Sequence, residues 1–116
     1  MALILETKQS LGIVIPSGSL DASAVESFRS QVSAWWDSHP ELKLIVVDLA
    51  GVGFMDSSGL GALIGLVKRA ATRGGEVKLA RAQPGVKLVL EMTRANKIFV
   101  ICATLEAALI SPASAT

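Results

Sequence analysis

The hydrophobic pattern changes period several times along the chain. Leu3–Thr7 and Leu11–Pro16 are short apolar runs separated by Lys8-Gln9-Ser10, which predicts a hairpin. Ser17-Gly18-Ser19 has loop chemistry, and Ser19 or Asp21 is placed to cap the next element. Val25, Phe28, Val32 and Trp35 or Trp36 recur three and four apart, the stripe of an amphipathic helix. That helix should stop near Ser38-His39-Pro40, because proline restricts the residue before it. Two adjacent tryptophans lie 100° apart on a helix, so one of them is expected to be partly exposed. Leu42–Leu49 is β-branched and almost wholly apolar, as expected of a strand covered on both faces.

Beyond a glycine-containing link at Ala50–Gly53, Leu60, Leu63, Ile64, Val67 and Ala71 repeat with helical spacing. Lys68, Arg69 and Arg73 then oppose the negative end of the helix dipole, and Gly74-Gly75 suits a left-handed terminating turn. Glu76–Ala80 predicts another strand. Pro84 sits where a first helical turn tolerates proline, with Val86, Val89 and Leu90 facing inward up to Thr93. Ile98–Ile101 is the last expected strand, and Thr104 can cap a final helix through Ile110. Ser111–Thr116 is expected to fray. A hairpin followed by strand–helix alternation implies an α/β sandwich: a mixed sheet of about five strands packed against about four helices.

At 116 residues the chain has the size of one domain. Hydrophobic residues make up 51% and charged residues 18%, which is rich in core and far from disorder. Eleven Lys and Arg against ten Asp and Glu leave a charge of +1 without any cationic block, which argues against a nucleic-acid partner. One cysteine and one histidine exclude a disulfide framework and make a metal centre an unsuitable reading. No signal peptide is recognisable at Met1–Glu6. The apolar stretches Leu44–Met55 and Ile98–Leu105 fall short of the ~20 residues needed to cross a bilayer. A cytoplasmic location is expected, without membrane insertion, and a monomer suffices. Cys102, in an apolar run, reads as a small buried hydrophobe.

The chemically informative segment is Asp56-Ser57-Ser58-Gly59, between a buried strand and an amphipathic helix. Asp56 can cap the helix and leave Ser57 in its first turn, where backbone amides lack intrahelical partners. A phosphate on Ser57 would then meet N–H donors and a favourable dipole, while Asp56 would repel its charge of roughly −1.5 to −2. The larger effect of such a charge falls on a docking partner, which must desolvate or neutralise it. A plain helix cap would show the same local pattern.

Phe54-Met55-Asp56-Ser57-Ser58-Gly59-Leu60-Gly61 resembles the signature of STAS domains, specifically the bacterial anti-sigma factor antagonists. The resemblance extends from about Leu3 to Ile110, through Leu44–Leu49, Gly74-Gly75, Lys97-Ile98-Phe99 and Thr104–Leu109. It implies a STAS-type sandwich that binds a serine kinase which is also an anti-sigma factor. It further implies that phosphorylation of Ser57 releases that partner and that a phosphatase resets the switch. Asp21, Asp56, Ser58 and Gly59 are the implied partner-binding residues, and the chain itself needs no cofactor or metal. The alternative within the same fold is a constitutive adaptor of a stress-signalling or lipid-transport complex. Two departures from the family pattern stand out: serine at Gly18-Ser19-Leu20-Asp21 in place of an acid, and Thr93-Arg94-Ala95-Asn96 without the usual glycine. Asn96 is expected to supply the left-handed residue there.

Enzymatic readings fit less well. A hydrolase would need a nucleophile elbow that Met55–Gly59 does not form, and His39 beside Pro40 reads as a solvated surface side chain. Gly59-Leu60-Gly61-Ala62-Leu63-Ile64-Gly65 lacks the lysine and hydroxyl residue of a phosphate-binding loop. Gly61 and Gly65, four apart on the helix, are expected to mark close backbone packing against a neighbouring element. Asp48 could be the acceptor of a phosphoaspartate receiver, but the acidic pair that would hold Mg²⁺ is missing. It is expected to be a capping or loop carboxylate.

Overall fold

In the computed structural model, which describes residues 1–110, β1 (Ala2–Lys8) and β2 (Leu11–Ser17) form an antiparallel hairpin. The chain reverses at Gln9, whose φ is 56°. The helix α1 (Val25–Asp37) leads to β3 (Leu44–Asp48), α2 (Ser57–Thr72), β4 (Glu76–Ala80), α3 (Pro84–Met92), β5 (Val100–Cys102) and α4 (Leu105–Ala108). The strands lie in the order β1-β2-β3-β4-β5, and every pairing after the hairpin is parallel. This is the mixed five-stranded, four-helix sandwich expected from the periodicity. The expectation for Ser111–Thr116 falls outside the described residues.

The sheet has one fully packed face and one partly packed face. On the first, Val14, Ile45, Val47, Val77 and Leu79 meet Phe28, Val32 and Trp36 of α1, Leu63 and Leu66 of α2, and Val86 and Leu90 of α3. On the other, Leu44, Val46 and Ala80 meet Ala108 of α4. Every residue of β3 is therefore buried, which explains its continuous apolar run. The strand is shorter than the apolar stretch Leu42–Leu49. Leu42 and Leu49 are fully buried as well, but they lie beyond the ladder.

Trp36 joins the two longest helices. Its ring is fully buried, and the guanidiniums of Arg69 and Arg73 lie 5.6 and 5.0 Å from its centroid. Arg73 also donates to the Trp36 carbonyl at 3.1 Å, and both arginines pair with Asp37. The cations that oppose the α2 dipole therefore also tie the end of α2 to the end of α1. Trp35 is half-buried, as the helical geometry requires.

Three boundaries differ from the sequence expectation. The turn after α3 is made by Arg94, with φ 61°, rather than by Asn96. A single 3-10 turn over Ala95–Lys97 follows, inserting Ala95 into the core at 2% exposure. That turn consumes Ile98, which is exposed, and moves the last strand to Val100–Cys102. Thr104 caps α4 through the Ala107 amide at 3.1 Å, but the helix ends at Ala108. Cys102 is half-buried rather than enclosed. Gly74, with φ 69°, makes the left-handed turn that closes α2.

Candidate functional site at the start of the second helix

Two loops run side by side at the ends of β2 and β3. Gly18 N donates to Gly51 O at 2.9 Å and Leu20 N to Phe54 O at 2.9 Å, so the Gly18–Ala24 loop is backbone-paired to the loop that leads into α2. Leu20 and Met55 form an isolated parallel bridge and are 0% and 2% exposed, which anchors both loops in the core. Local sequence alone would leave these loops independent; a buried side chain on each makes them one surface.

Asp56 locks that surface. Its backbone is extended at the N-cap, with φ −105° and ψ −173°. Its Oδ1 accepts from Ser58 N at 2.9 Å and Gly59 N at 3.1 Å, the cap expected from the sequence. Its Oδ2 accepts from Ala22 N at 3.1 Å, across to the neighbouring loop. One carboxylate thus terminates α2 and holds the loop that precedes α1.

Asp21 lies in that second loop and organises its turn. Its Oδ1 accepts from Ser23 N at 3.1 Å and from the Ser23 hydroxyl at 2.7 Å, while its carbonyl accepts from Ala24 N and Val25 N. The Ser23 hydroxyl, with the Ser23 and Ala24 amides, keeps this carboxyl below its usual range. Neither Asp21 nor Ser19 caps α1. The N-cap is Ala24, without a side-chain hydrogen bond, because the Asp21–Ala24 turn intervenes.

Ser57 is the first residue of α2, and its side chain is exposed. Ser58 is half-buried. Gly59 is buried, and a Cβ there would overlap the Leu20 carbonyl oxygen and approach Leu20 Cγ to 3.0 Å. The structure therefore brings Asp21, Asp56, Ser57 and Ser58 to one surface, with Gly59 beneath it. It also changes the expected environment of a phosphate. The Ser58 and Gly59 amides already bond Asp56, so a dianion on Ser57 would find those two donors taken and a carboxylate beside it. The charge would stay at the solvent face, where a partner would meet it.

The remaining candidates lie elsewhere. Gly61 and Gly65 do not mark a tight helix contact: a Cβ at Gly61 would be 3.6 Å from Arg29 Nη2, and one at Gly65 would meet nothing within 4 Å. Close approach falls on Gly59 instead. His39 pairs with Glu41 at 3.4 Å beyond the end of α1 that is tied to the far end of α2. It is thus roughly a helix length, ~24 Å, from Ser57.

Asp48 is 3% exposed and ion-paired with Arg81, whose Nε donates to Oδ1 at 3.0 Å, and it also accepts from Ala50 N at 3.2 Å. Burial pushes its carboxyl up, but the Arg81 hydrogen bonds, the Ala50 amide and the Arg81 charge outweigh that and hold it below its usual range. The loop-carboxylate reading is correct for Ala50 and missed Arg81. A carboxylate ending a fully apolar strand was the available signal, because a buried charge needs a partner. Among the described residues no helix is long and apolar enough to cross a membrane.

The likeness to known proteins covers the whole of this arrangement. An anti-sigma F factor antagonist of Paenibacillus polymyxa is 33% identical over 103 residues, covering 87% of each chain. The structure of the anti-sigma factor antagonist SpoIIAA in its unphosphorylated form superposes with a TM-score of 0.80 at 27% identity, covering 93% of each chain. The phosphorylated form of SpoIIAA, a Bacillus cell fate determinant, gives 0.72 at 26% identity, over 93% of this chain and 96% of that one. The STAS domain model matches residues 2–108, and the chain belongs to the STAS domain family.

Proposed function

We propose that this protein is an anti-sigma factor antagonist whose hold on a serine kinase/anti-sigma partner is ended by phosphorylation of Ser57. The observation that carries this reading is the exposed hydroxyl of Ser57, at the first position of α2 and beside the loop-locking Asp56. The relatives named as antagonists support it, as does the solved relative in phosphorylated and unphosphorylated forms.

In the unmodified state Asp21, Asp56, Ser57 and Ser58 present a rigid polar surface to the kinase. The Ser57 oxygen attacks the γ-phosphorus of the partner's ATP, the bond to ADP breaks, and the hydroxyl proton passes to a base of the kinase. The Mg²⁺ and nucleotide belong to that partner; this chain is the substrate. Phosphoserine then places a dianion beside the Asp56 carboxylate, which already holds the Ser58 and Gly59 amides. The partner has to neutralise that charge or leave, and a phosphatase restores the free hydroxyl.

Two variants test the switch by titration against the purified cognate kinase/anti-sigma factor. Ser57→Ala should bind persistently and resist phosphorylation, while Ser57→Asp should bind at least about tenfold more weakly, in line with a charge forced into an interface. Equal affinity of the two would instead support the constitutive adaptor. Peptide-level mass spectrometry of protein from growing and stressed native cells should find phosphate of variable occupancy on Ser57.

A further inference from the structure

The polar surface around Ser57 is small. A stable protein interface occupies roughly 800 Å² on each partner and excludes charge from its centre. A surface built from Asp21, Asp56 and two serines supplies a rim without a centre.

A second exposed feature, this one apolar, lies on α3. The helix α3 buries Val86 and Leu90, yet its opposite side carries Leu88 at 55% and Met92 at 76% exposure. Helices on a protein surface ordinarily turn charged residues outward, and single exposed apolar side chains need no explanation. Here the outward residues follow a line. Gly85, Leu88 and Met92 share one face at spacings of three and four, and Gly85 is the residue aligned with the Gly53 carbonyl, 4.0 Å from its would-be Cβ. Gln83 fastens the same loop by donating to Ala50 O at 2.7 Å. That loop carries Phe54, 55% exposed, directly ahead of Met55-Asp56-Ser57. The start of α3 thus adjoins the loop that leads to Ser57, and Leu88 and Met92 continue along the helix from Gly85.

We infer that the ridge of Phe54, Leu88 and Met92 is the apolar centre of the docking surface, seated in a hydrophobic groove of the same kinase/anti-sigma partner. The inference rests on the proposed docking at Ser57 and adds the second half of the interface. Charge at the two ends sets the orientation. Asp21 and Asp56 stand at the serine end, exposed Lys87 and Glu91 flank Leu88 and Met92 along α3, and exposed Arg94 and Lys97 follow Met92, so the matching groove is basic at the serine end, mixed along its sides and acidic past Met92. Under this arrangement the ridge supplies most of the affinity and the serine end controls it.

The test is calorimetric titration of the purified cognate serine kinase/anti-sigma factor, with its nucleotide, against Leu88→Gln/Met92→Gln, Phe54→Ala and Ser57→Asp. Ile4→Gln on β1 serves as the control, since Ile4 is equally exposed at 57%. The ridge double variant should lose roughly tenfold or more in affinity at an unchanged melting temperature, while Ile4→Gln binds as the wild type does. Met92→Gln alone gives the same reading should the double variant fail to fold. Wild-type affinity of the ridge variants beside a weakened Ser57→Asp overturns the ridge and leaves the switch standing. Weak ridge variants beside a fully binding Ser57→Asp refute the docking at Ser57, and with it the joined interface. A dimer of the wild type in sedimentation, converted to a monomer by the ridge variants with partner affinity intact, assigns the ridge to a second copy and overturns the proposal.

Discussion

Replacing Gly59 with alanine should destabilise the domain, although the same change in most helical positions stabilises. Alanine gains about 1 kcal/mol over glycine in a helix interior. At Gly59 the added Cβ would overlap the Leu20 carbonyl oxygen and lie 3.0 Å from both the Leu20 carbonyl carbon and Cγ. The clash is largely with backbone, so no rotamer change relieves it. Either α2 must rise or the Gly18–Ala24 loop must retreat. Retreat is opposed by the Leu20 N to Phe54 O hydrogen bond and by the fully buried Leu20 side chain. Overpacking of this kind costs about 1–3 kcal/mol, and with backbone on both sides the upper end applies. Against the propensity gain, the net loss is about 2 kcal/mol, or roughly 10 °C in melting temperature for a domain of this size.

Gly65→Ala is the internal control. It lies on the same helix, with nothing within 4 Å of its would-be Cβ, and should raise stability by about 0.5–1 kcal/mol. Urea denaturation of the wild type and the two variants, with equal slopes, measures both differences. A Gly59→Ala variant as stable as wild type would show that the two loops are not held at the distance described, and the fixed surface at Ser57 would lose its basis.

Asp56→Ala removes a helix cap and the bond to Ala22 together, and should cost about 1–2 kcal/mol while speeding proteolytic cleavage within Gly18–Ala24; Asp56→Asn should recover part of both. Unchanged cleavage would mean that Asp56 does not restrain the neighbouring loop. The Asp48 carboxyl sits below its usual value of 3.8 in the folded protein, so its contribution is complete above that pH and is lost as pH falls through the lower folded value. Urea midpoints should therefore fall below about pH 4, and Asp48→Asn should flatten that fall. Arg81→Met leaves a buried carboxylate unpaired and should cost about 2 kcal/mol, less than for a fully enclosed pair because Arg81 is 46% exposed. Restoration of part of that loss in Asp48→Asn/Arg81→Met, by a double-mutant cycle, would confirm the pairing.

Elements were legible in the chain wherever burial repeats with a regular period. The all-apolar β3 and the Val25-Phe28-Val32 stripe each announce a geometry that packing then preserves. Turns were less legible. Gln9, Arg81 and Arg94 all adopt positive φ with side chains that do not favour it. What places Arg94 there is the burial of Ala95 one residue later, a tertiary cause with no local signature. The glycines show the same limit: spacing reveals that Gly61 and Gly65 share a face, but not what stands opposite.

The candidate site divides along this line. Asp56 as a cap and Ser57 at the first helical position follow from a local motif. The Asp56–Ala22 bond spans 34 positions in sequence and could not be read from either end. That bond and the Gly59–Leu20 approach act from opposite sides of one contact: the first draws the loops together, and the second sets how near they come. A serine on a free helix start would carry its phosphate into a flexible surface that could relax around it. Under the proposed switch, a dianion added at Ser57 would sit between these two restraints, and the adjustment would fall to the partner.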